Sequence, residues 1–193
     1  MMEILFSDRD FVACVKPVGL DSEHEVPEEL KKTLGGEIFP IHRVDKNVGG
    51  VMIFARNKAS AGALSKLVQD GALVKEYVAM VHGAVSEQGD WEDLLFKDSS
   101  KNKVFVVKKE RKGVKKARLE FVKLADSLVR IRLHTGRSHQ IRVQFASRGF
   151  PLVGDHKYGA RDEVAAPMLF SCCITFPWKG MQMRFEALPD WAR

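Results

Sequence analysis

Two short segments hold the side chains of this chain that are best suited to chemistry. The first, His42–Lys46, reads His-Arg-Val-Asp-Lys and places one carboxylate, Asp45, among cations. The second, His134–Arg142, reads His-Thr-Gly-Arg-Ser-His-Gln-Ile-Arg. Because nearby positive charge favours the ionised form of a carboxylate, Asp45 is poorly suited to donate a proton. It is instead a candidate covalent nucleophile.

The elements around Asp45 can hold it in place. It follows a loop that ends at Pro40 and precedes Gly49-Gly50 and a strand-like run, Val51–Ala55. Loops held by rigid strands commonly carry catalytic groups. The alternative is a turn aspartate that pairs with Arg43 or Lys46.

Arg137, Arg142 and Tyr77 are the other candidates for chemistry. An arginine can hold a carboxylate or phosphate by two-point contact, and the alternative for both arginines is exposed surface charge. Tyr77 could stack on a base and offer a hydroxyl for proton transfer. Its alternative is a core aromatic with a satisfied hydroxyl.

A metal site is weakly supported. His42, His134 and His139 could join Asp45 around a metal ion, but their intervals match no recognised zinc pattern. Hydrogen-bonding roles are favoured, and we expect no metal or other cofactor. The chain also lacks the phosphate-binding loop, the dinucleotide fingerprint and the hydrolase nucleophile elbow.

Charge and cysteine content indicate the class of protein. The 193 residues carry a formal net charge of +6, with a pI near 9.3, which suggests a polyanionic partner or merely a basic enzyme. Six cations and one acid in Lys108–Lys116 predict a hairpin tip that is either solvated surface or a polyanion contact. The adjacent Cys172 and Cys173 fit no disulfide framework. With no apolar run of membrane-spanning length, we expect a cytoplasmic protein.

The hydrophobic pattern predicts an α+β fold with a mixed, largely antiparallel sheet, flanking helices and loops, in one domain over residues 1–193. Predicted strands are Phe11–Val15, Val51–Ala55, Glu76–His82, Val104–Val107, Leu119–Leu124, Leu128–His134, Phe170–Phe176 and Met181–Phe185. Predicted helices are a short one near Leu30, one over Lys58–Asp70 that ends at Gly71, and one over His139–Ser147 capped by Ser138.

The motifs together resemble one family. His42–Lys46 followed by Gly49-Gly50-Val51 resembles the signature of the RluA-type pseudouridine synthases. The family usually has a leucine where this chain has Val44. Further segments are similar to family motifs in the same order along the chain: Lys16–Gly19, Lys75–Tyr77, Thr135–Val143, Phe150–Gly159 and Phe185–Pro189. The resemblance covers nearly the whole chain. It implies the pseudouridine synthase fold, with an active-site cleft across the sheet. We expect the catalytic domain alone, because no room is left for an S4 domain.

The resemblance also implies a reaction, a partner and a set of site residues. The reaction is cofactor-free isomerisation of a uridine in ribosomal or transfer RNA. The oligomeric state is open, and we expect a monomer by default. Asp45 matches the nucleophile that attacks a flipped-out nucleotide, Tyr77 the residue that stacks on the base, and Arg137 the partner of the aspartate, with Arg142 as second choice. Arg43 matches the residue that holds the vacated position open, and Ile141 a pocket position. The implied substrate and RNA contacts are His42, Arg43, His139, Gln140, Ile141 and Arg142.

Two other functions stay open at this point. One is a non-catalytic RNA-binding module on the same scaffold. The other is a metal-dependent hydrolase built from the histidines and Asp45. RNA binding without modification would indicate the first, and stoichiometric metal the second.

Overall fold

The computed structural model describes residues 2–193, which form eleven strands, three α-helices and two short 3-10 helices. The strands are β1 (Glu3–Ser7), β2 (Phe11–Lys16), β3 (Phe39–Pro40), β4 (Gly49–Ala55), β5 (Val74–Met80), β6 (Gln88–Asp98), β7 (Lys103–Val107), β8 (Val114–Ala125), β9 (Leu128–Leu133), β10 (Leu169–Trp178) and β11 (Met181–Glu186). The helices are α1 (Glu25–Leu34), α2 (Lys58–Gln69) and α3 (Gln140–Ala146), and the 3-10 turns are His156–Tyr158 and Asp190–Ala192. Among these described residues, no helix has the length and apolar character needed to cross a membrane.

The described chain divides into two compact units. The first contains the residues through Glu76 together with Phe170–Arg193, and the second contains Tyr77–Leu169. The boundary falls within β5 and β10. The expectation of one domain over the whole chain stays a prediction.

The first unit is built around β4, which is buried along its whole length. It pairs antiparallel with β2 and parallel with β10, where Phe170 and Ser171 lie opposite Gly49 and Gly50. At the outer edges, β1 pairs with β2 and β11 with β10, both antiparallel. Leu64 on α2 packs into the apolar cluster of this sheet. Asn57 begins α2 by accepting a hydrogen bond from the Ser60 amide, as an N-cap does.

The second unit contains antiparallel pairings of β9 with β8, β8 with β6, and β6 with β7. On β8, Ala117, Leu119 and Phe121 are buried and alternate with more exposed residues, the pattern of a strand with one face on a core. Helix α3 supplies the other side of that core, because Phe145 packs on Phe121 with 5.3 Å between ring centroids.

The structure confirms the predicted α+β class with a largely antiparallel sheet: the pairs β1–β2, β2–β4, β10–β11, β6–β7, β6–β8 and β8–β9 are antiparallel, and β4–β10 is parallel. Helix α2 covers the predicted span, and Gly71 follows it with a φ of +71°. The strand predicted over Leu128–His134 is also confirmed as β9, and its residues Val129 and Ile131 are fully buried.

The predicted hairpin around Lys108–Lys116 is wrong. Strand β6 lies between β7 and β8 and pairs with both, so the link 108–113 crosses from one side of β6 to the other. The apolar pattern does not reveal β6, because three acids, Asp90, Glu92 and Asp93, interrupt it. Strand β8 is also longer than predicted, beginning at Val114.

The start of α3 differs from the prediction as well. Ser138 does not cap the helix; His139 precedes it in the left-handed region, with a φ of +50°, and makes no side-chain cap. The loop before α3 is held instead by the Gln140 side chain, whose carbonyl oxygen accepts the Arg137 amide hydrogen at 3.0 Å.

Candidate active site

The Asp45 loop is fixed by hydrogen bonds on both sides of the carboxylate. Before it, the buried Ser22 hydroxyl donates to the Val44 carbonyl oxygen at 2.9 Å and accepts from the Val44 amide at 3.2 Å. After it, the Val48 amide donates to the Asp45 carbonyl oxygen at 2.9 Å. Asp45 itself is half-buried. Its backbone position is therefore set by its neighbours, as a nucleophile requires.

Lys16 secures the same loop from inside the first unit. Its ammonium group donates to the carbonyl oxygens of Pro17 at 3.0 Å, Leu20 at 2.9 Å and Lys46 at 3.2 Å. The side chain is fully buried. Burial lowers the pKa of Lys16 to about 8, and the nearby carboxylates of Asp21, Asp45 and Glu25 oppose that shift. All three donors are used, so Lys16 joins the turn after β2 to the loop that carries Asp45.

The two glycines after Asp45 allow a close approach between β4 and β10. Gly50 has a φ of +127°, and a Cβ atom there would collide with the backbone nitrogen and oxygen of Ser171. The Ser171 hydroxyl then donates to the Val51 carbonyl oxygen at 3.0 Å. The Gly-Gly pair in the sequence motif therefore has a packing reason.

His42 and Arg43 have different environments. The His42 Nε2 atom accepts the Ile53 amide hydrogen at 3.1 Å, so the neutral ring carries its proton on Nδ1. Burial, with a smaller contribution from Lys75, lowers the pKa of His42 to about 3. Arg43 is exposed and forms an ion pair with Glu23 at 2.7 Å. Lys46 pairs with Glu25 at 3.1 Å, so both cations of the motif engage glutamates.

In the second unit, Gln140 organises the other predicted segment. Its side-chain oxygen accepts from the Thr135 hydroxyl at 2.8 Å and from the Arg137 amide, while its side-chain nitrogen donates to the Arg118 carbonyl oxygen at 3.1 Å. Gln140 is 2% exposed. Arg137 is exposed, and its Nε donates to the Lys116 carbonyl oxygen at 2.9 Å.

Arg142 is buried in a two-point ion pair. Its Nε and Nη2 atoms donate to the two carboxylate oxygens of Asp155 at 2.7 and 2.8 Å, and both residues are at most 5% exposed. This geometry fixes the rotamer of the guanidinium group. The neighbouring Ile141 is buried as well.

His139 contacts an aromatic partner that the sequence analysis did not single out. Its Nδ1 lies 2.8 Å from the Tyr158 hydroxyl oxygen, which also accepts the Val104 amide hydrogen at 2.9 Å. Asp155 and Tyr158 both belong to the segment Phe150–Gly159, so the resemblance had marked the segment but not these roles. Tyr77 is a buried residue of β5, 6% exposed.

Each unit thus brings together a part of the predicted set. In the first unit, His42, Arg43 and Asp45 share one loop with Lys16 beneath it. In the second, Arg137, His139, Gln140, Ile141 and Arg142 surround the start of α3. Among residues 2–193, no group of three or more His, Cys, Asp or Glu side chains is placed to hold a metal ion. The catalytic and RNA-binding roles of these residues stay predictions.

Comparison with known proteins identifies the family of this chain. Residues 10–147 match the family model described as RNA pseudouridylate synthase. The chain belongs to this family. The match contains the Asp45 loop, Tyr77 and all of α3, and it confirms the family and enzyme class that the sequence motifs predicted.

The curated relatives are also named as pseudouridine synthases. An uncharacterised RNA pseudouridine synthase, YlyB, of Bacillus subtilis (strain 168) is 29% identical over 98% of this chain and 70% of its own length. A second, from Aquifex aeolicus (strain VF5), is 31% identical over 88% of this chain, which spans only 60% of that protein. A tRNA pseudouridine synthase C from Haemophilus ducreyi (strain 35000HP / ATCC 700724) is 29% identical over 82% of this chain and 74% of its own length.

Solved structures support the fold. The human protein named RNA Pseudouridylate Synthase Domain Containing 1 matches with a TM-score of 0.85 at 22% identity, over 98% of this chain and 84% of that one. At this identity the likeness shows the fold alone, and it confirms the pseudouridine synthase fold expected from the motifs.

Proposed function

We propose that this pseudouridylate synthase domain isomerises uridine in RNA to pseudouridine and that Asp45 is its nucleophile. The observation that carries the proposal is the fixed loop around Asp45. Ser22 and Lys16 hold its backbone from two sides, and the loop lies within the part of the chain that matches the family. An ionised carboxylate in a fixed position can form a covalent intermediate with an extruded nucleotide.

The reaction is redox-neutral, so it needs no oxidant or reductant. The carboxylate of Asp45 bonds to the nucleotide, at C6 of the base or C1′ of the sugar, and the bond between N1 and C1′ breaks. The uracil turns and bonds to C1′ through C5. The bond to Asp45 breaks either in that displacement at C1′ or, for the C6 adduct, by elimination of the carboxylate. A proton leaves C5 and N1 gains one. We propose that Tyr77 stacks on the base and assists removal of the C5 proton.

The buried side chains are proposed as positioning residues. Gln140 accepts a hydrogen bond from the Arg137 amide, and Arg142 donates to Asp155. His42 accepts a hydrogen bond from the Ile53 amide. Of the two arginines considered as partner of the aspartate, Arg142 has a guanidinium group already fixed by Asp155, whereas Arg137 is exposed. We therefore keep Arg137 as the proposed partner of Asp45, with Arg142 as second choice, as the resemblance implies.

The finer features of the function belong to the same proposal. We propose an RluA-type enzyme that acts as a monomer on ribosomal or transfer RNA, in the cytoplasm. The supporting observations are the motif order, the basic charge, the tRNA pseudouridine synthase among the relatives, and three buried free cysteines.

The experiment compares the parent protein with Asp45→Asn and Asp45→Ala. Each is incubated with total RNA from cells that lack this gene, and pseudouridine is mapped by sequencing after chemical labelling. We expect loss of conversion by a factor of about a thousand or more, because no other group replaces a covalent nucleophile. Asp126→Asn, which removes an exposed carboxylate from the turn between β8 and β9, is the matched control and should keep the parent rate.

The other outcomes are equally definite. Conversion by Asp45→Asn at the parent rate would refute the assignment of Asp45. RNA binding by the parent without any new pseudouridine would indicate the non-catalytic module. Stoichiometric zinc or manganese in the purified protein would indicate the metal-dependent hydrolase, and full activity in EDTA would exclude it.

A further inference from the structure

The positive charge of this protein is concentrated in one stretch. Residues 97–116, called here the basic segment, contain nine Lys or Arg and two Asp or Glu, a net charge of +7. The other 173 residues contain 22 Lys or Arg and 23 Asp or Glu, a net charge of −1. The basic character of the whole molecule therefore arises from this segment alone.

Several cations of the basic segment differ from other cations of the second unit in having no carboxylate partner. Elsewhere, Arg118 pairs with Asp90 and Arg148 with Asp93, each at 2.8 Å, and Lys123 pairs with Glu87 at 3.1 Å. In the described structure, Lys108, Lys109, Lys112 and Lys115 are exposed and form no ion pair. Such lysines repel one another unless an external anion is present.

The segment is held to the sheet at several points. Its strands β7 and β8 pair with β6 on either side. In the crossing link, the Arg111 guanidinium lies 4.5 Å from the centre of the Phe96 ring, and the Val114 amide donates to the Arg111 carbonyl oxygen at 3.0 Å. The cations thus project from an ordered support, which lowers the conformational entropy lost on binding.

The end of the segment is hydrogen-bonded to the predicted site loop of the same unit. Arg137 Nε donates to the carbonyl oxygen of Lys116, the last residue of the segment, and Gln140 donates to Arg118 two residues further on. A polyanion bound by Lys112 and Lys115 would therefore lie close to the loop that contains Arg137, whereas Lys116 itself pairs with Glu110 at 3.8 Å.

We propose that the basic segment binds the phosphate backbone of the substrate RNA outside the target nucleotide, through charge and without reading bases. This proposal rests on the proposed function, which supplies the RNA. Exposed lysines without carboxylate partners suit the negatively charged phosphates of a nucleic acid. The hydrogen bond to Arg137 places that contact next to predicted site residues.

The test uses the full chain with four lysines neutralised, K108Q/K109Q/K112Q/K115Q. Its matched control, K31Q/K32Q/K58Q/K66Q, removes the same charge from exposed lysines of α1 and α2. Both variants are titrated with a single-stranded and a duplex RNA of about 30 nucleotides, from about 0.05 to 0.3 M KCl. We expect the segment variant to bind about 10- to 100-fold more weakly. The slope of log affinity against log salt should fall by about three, from roughly 0.7–0.9 per lost phosphate contact.

The control should stay within about threefold of the parent, because its lysines lie outside the proposed contact and salt screens exposed charges. Equal losses in both variants, or none in the segment variant, would overturn the proposal. The proposal would also be overturned if the segment variant kept its RNA affinity but lost binding to vesicles that contain anionic lipid. That result would indicate that the basic segment binds a membrane instead. Melting curves check that each variant is folded.

Kinetics separate this proposal from the proposed function. With RNA from cells lacking the gene, the segment variant should raise KM about tenfold or more and leave the rate at saturating RNA nearly unchanged. Asp45→Asn should lose conversion and keep the parent's RNA affinity and salt slope. If Asp45→Asn converts RNA normally, the nucleophile assignment fails, while the binding comparison still decides the role of the basic segment.

Discussion

Lys16 shows how a single buried cation can serve a catalytic loop without contacting substrate. It donates to three backbone carbonyl oxygens, one of which belongs to Lys46, the residue after Asp45. A buried charge is costly unless it is hydrogen-bonded, and here each of its protons has an acceptor. We infer that Lys16 is a positioning residue for Asp45.

Replacing Lys16 tests this inference. Lys16→Met keeps the apolar stem but leaves the carbonyl oxygens of Pro17, Leu20 and Lys46 without their donor. We expect a loss of about 2–4 kcal/mol in the free energy of unfolding, measured by urea denaturation. Under conditions where Lys16→Met is folded, its turnover number should fall by a larger factor than its affinity for RNA. Unchanged stability would contradict the role.

The lowered pKa of His42 predicts that the stability of the protein depends on pH. Its folded pKa of about 3 lies below the value near 6.5 of an unfolded histidine, so the unfolded state binds more protons between these values. The contribution of His42 is therefore present above pH 6.5 and is lost as the pH falls toward 3. Compared with His42→Gln, whose side-chain oxygen can still accept the Ile53 amide, the parent should lose stability more steeply, by up to about 1.4 kcal/mol per pH unit.

The check is urea denaturation of parent and variant at several pH values from 7 to 4. Two parallel curves would show that His42 is not the group responsible.

At this scale, the sequence could predict the residues that share a short segment but not their distant partners. Asp45 and Arg137 stand in recognisable local patterns. Asp155, by contrast, follows Arg142 by thirteen residues, and only the return of the chain past α3 makes it the partner. The acceptors of Lys16 include a carbonyl group thirty residues away, which no spacing rule predicts.

The element that most constrains the Asp45 loop is β4. It begins at Gly49, and Gly50 lies against the backbone of Ser171 on β10. Because backbone atoms on a paired strand cannot move aside cheaply, the contact requires a residue without a side chain.

Gly50→Ala should therefore destabilise the protein by more than about 3 kcal/mol, since it adds steric overlap and a disfavoured positive φ. Gly62→Ala is the matched control. It lies within α2 with open space around it, and should gain about 0.5–1 kcal/mol from helix propensity. Thermal unfolding compares the two. A Gly50→Ala protein that melts with the parent would contradict this account of the glycine pair.

The prediction of helices and strands was right where the apolar residues recur at a regular period. It was wrong where the pairing of strands determines which residues form an element. Helix α2 and strand β9 have regular apolar spacing and matched. The charged strand β6 did not, because Trp91 and Leu95 become recognisable as core residues only once β8 and α3 pack against them. The hairpin error followed directly, since without β6 the neighbours of β7 and β8 cannot be known.

Across the whole molecule, net charge and its location carry different information. The value of +6 could be read from composition and predicted a polyanionic partner. Composition could not show that Lys108, Lys109, Lys112 and Lys115 lack ion pairs while Arg118, Lys123 and Arg148 are paired with carboxylates. That distinction depends on side-chain contacts, and it is the reason why the basic segment is proposed to bind RNA and the remaining surface is not.

The crossing link 108–113 has a consequence for how this enzyme can diversify. Both ends of the link are secured by strands that pair with β6, and its lysines project into solvent. Evolution or protein engineering can therefore exchange these six residues as a cassette without disturbing the core. Substrate preference could change in this way while the chemistry stays the same.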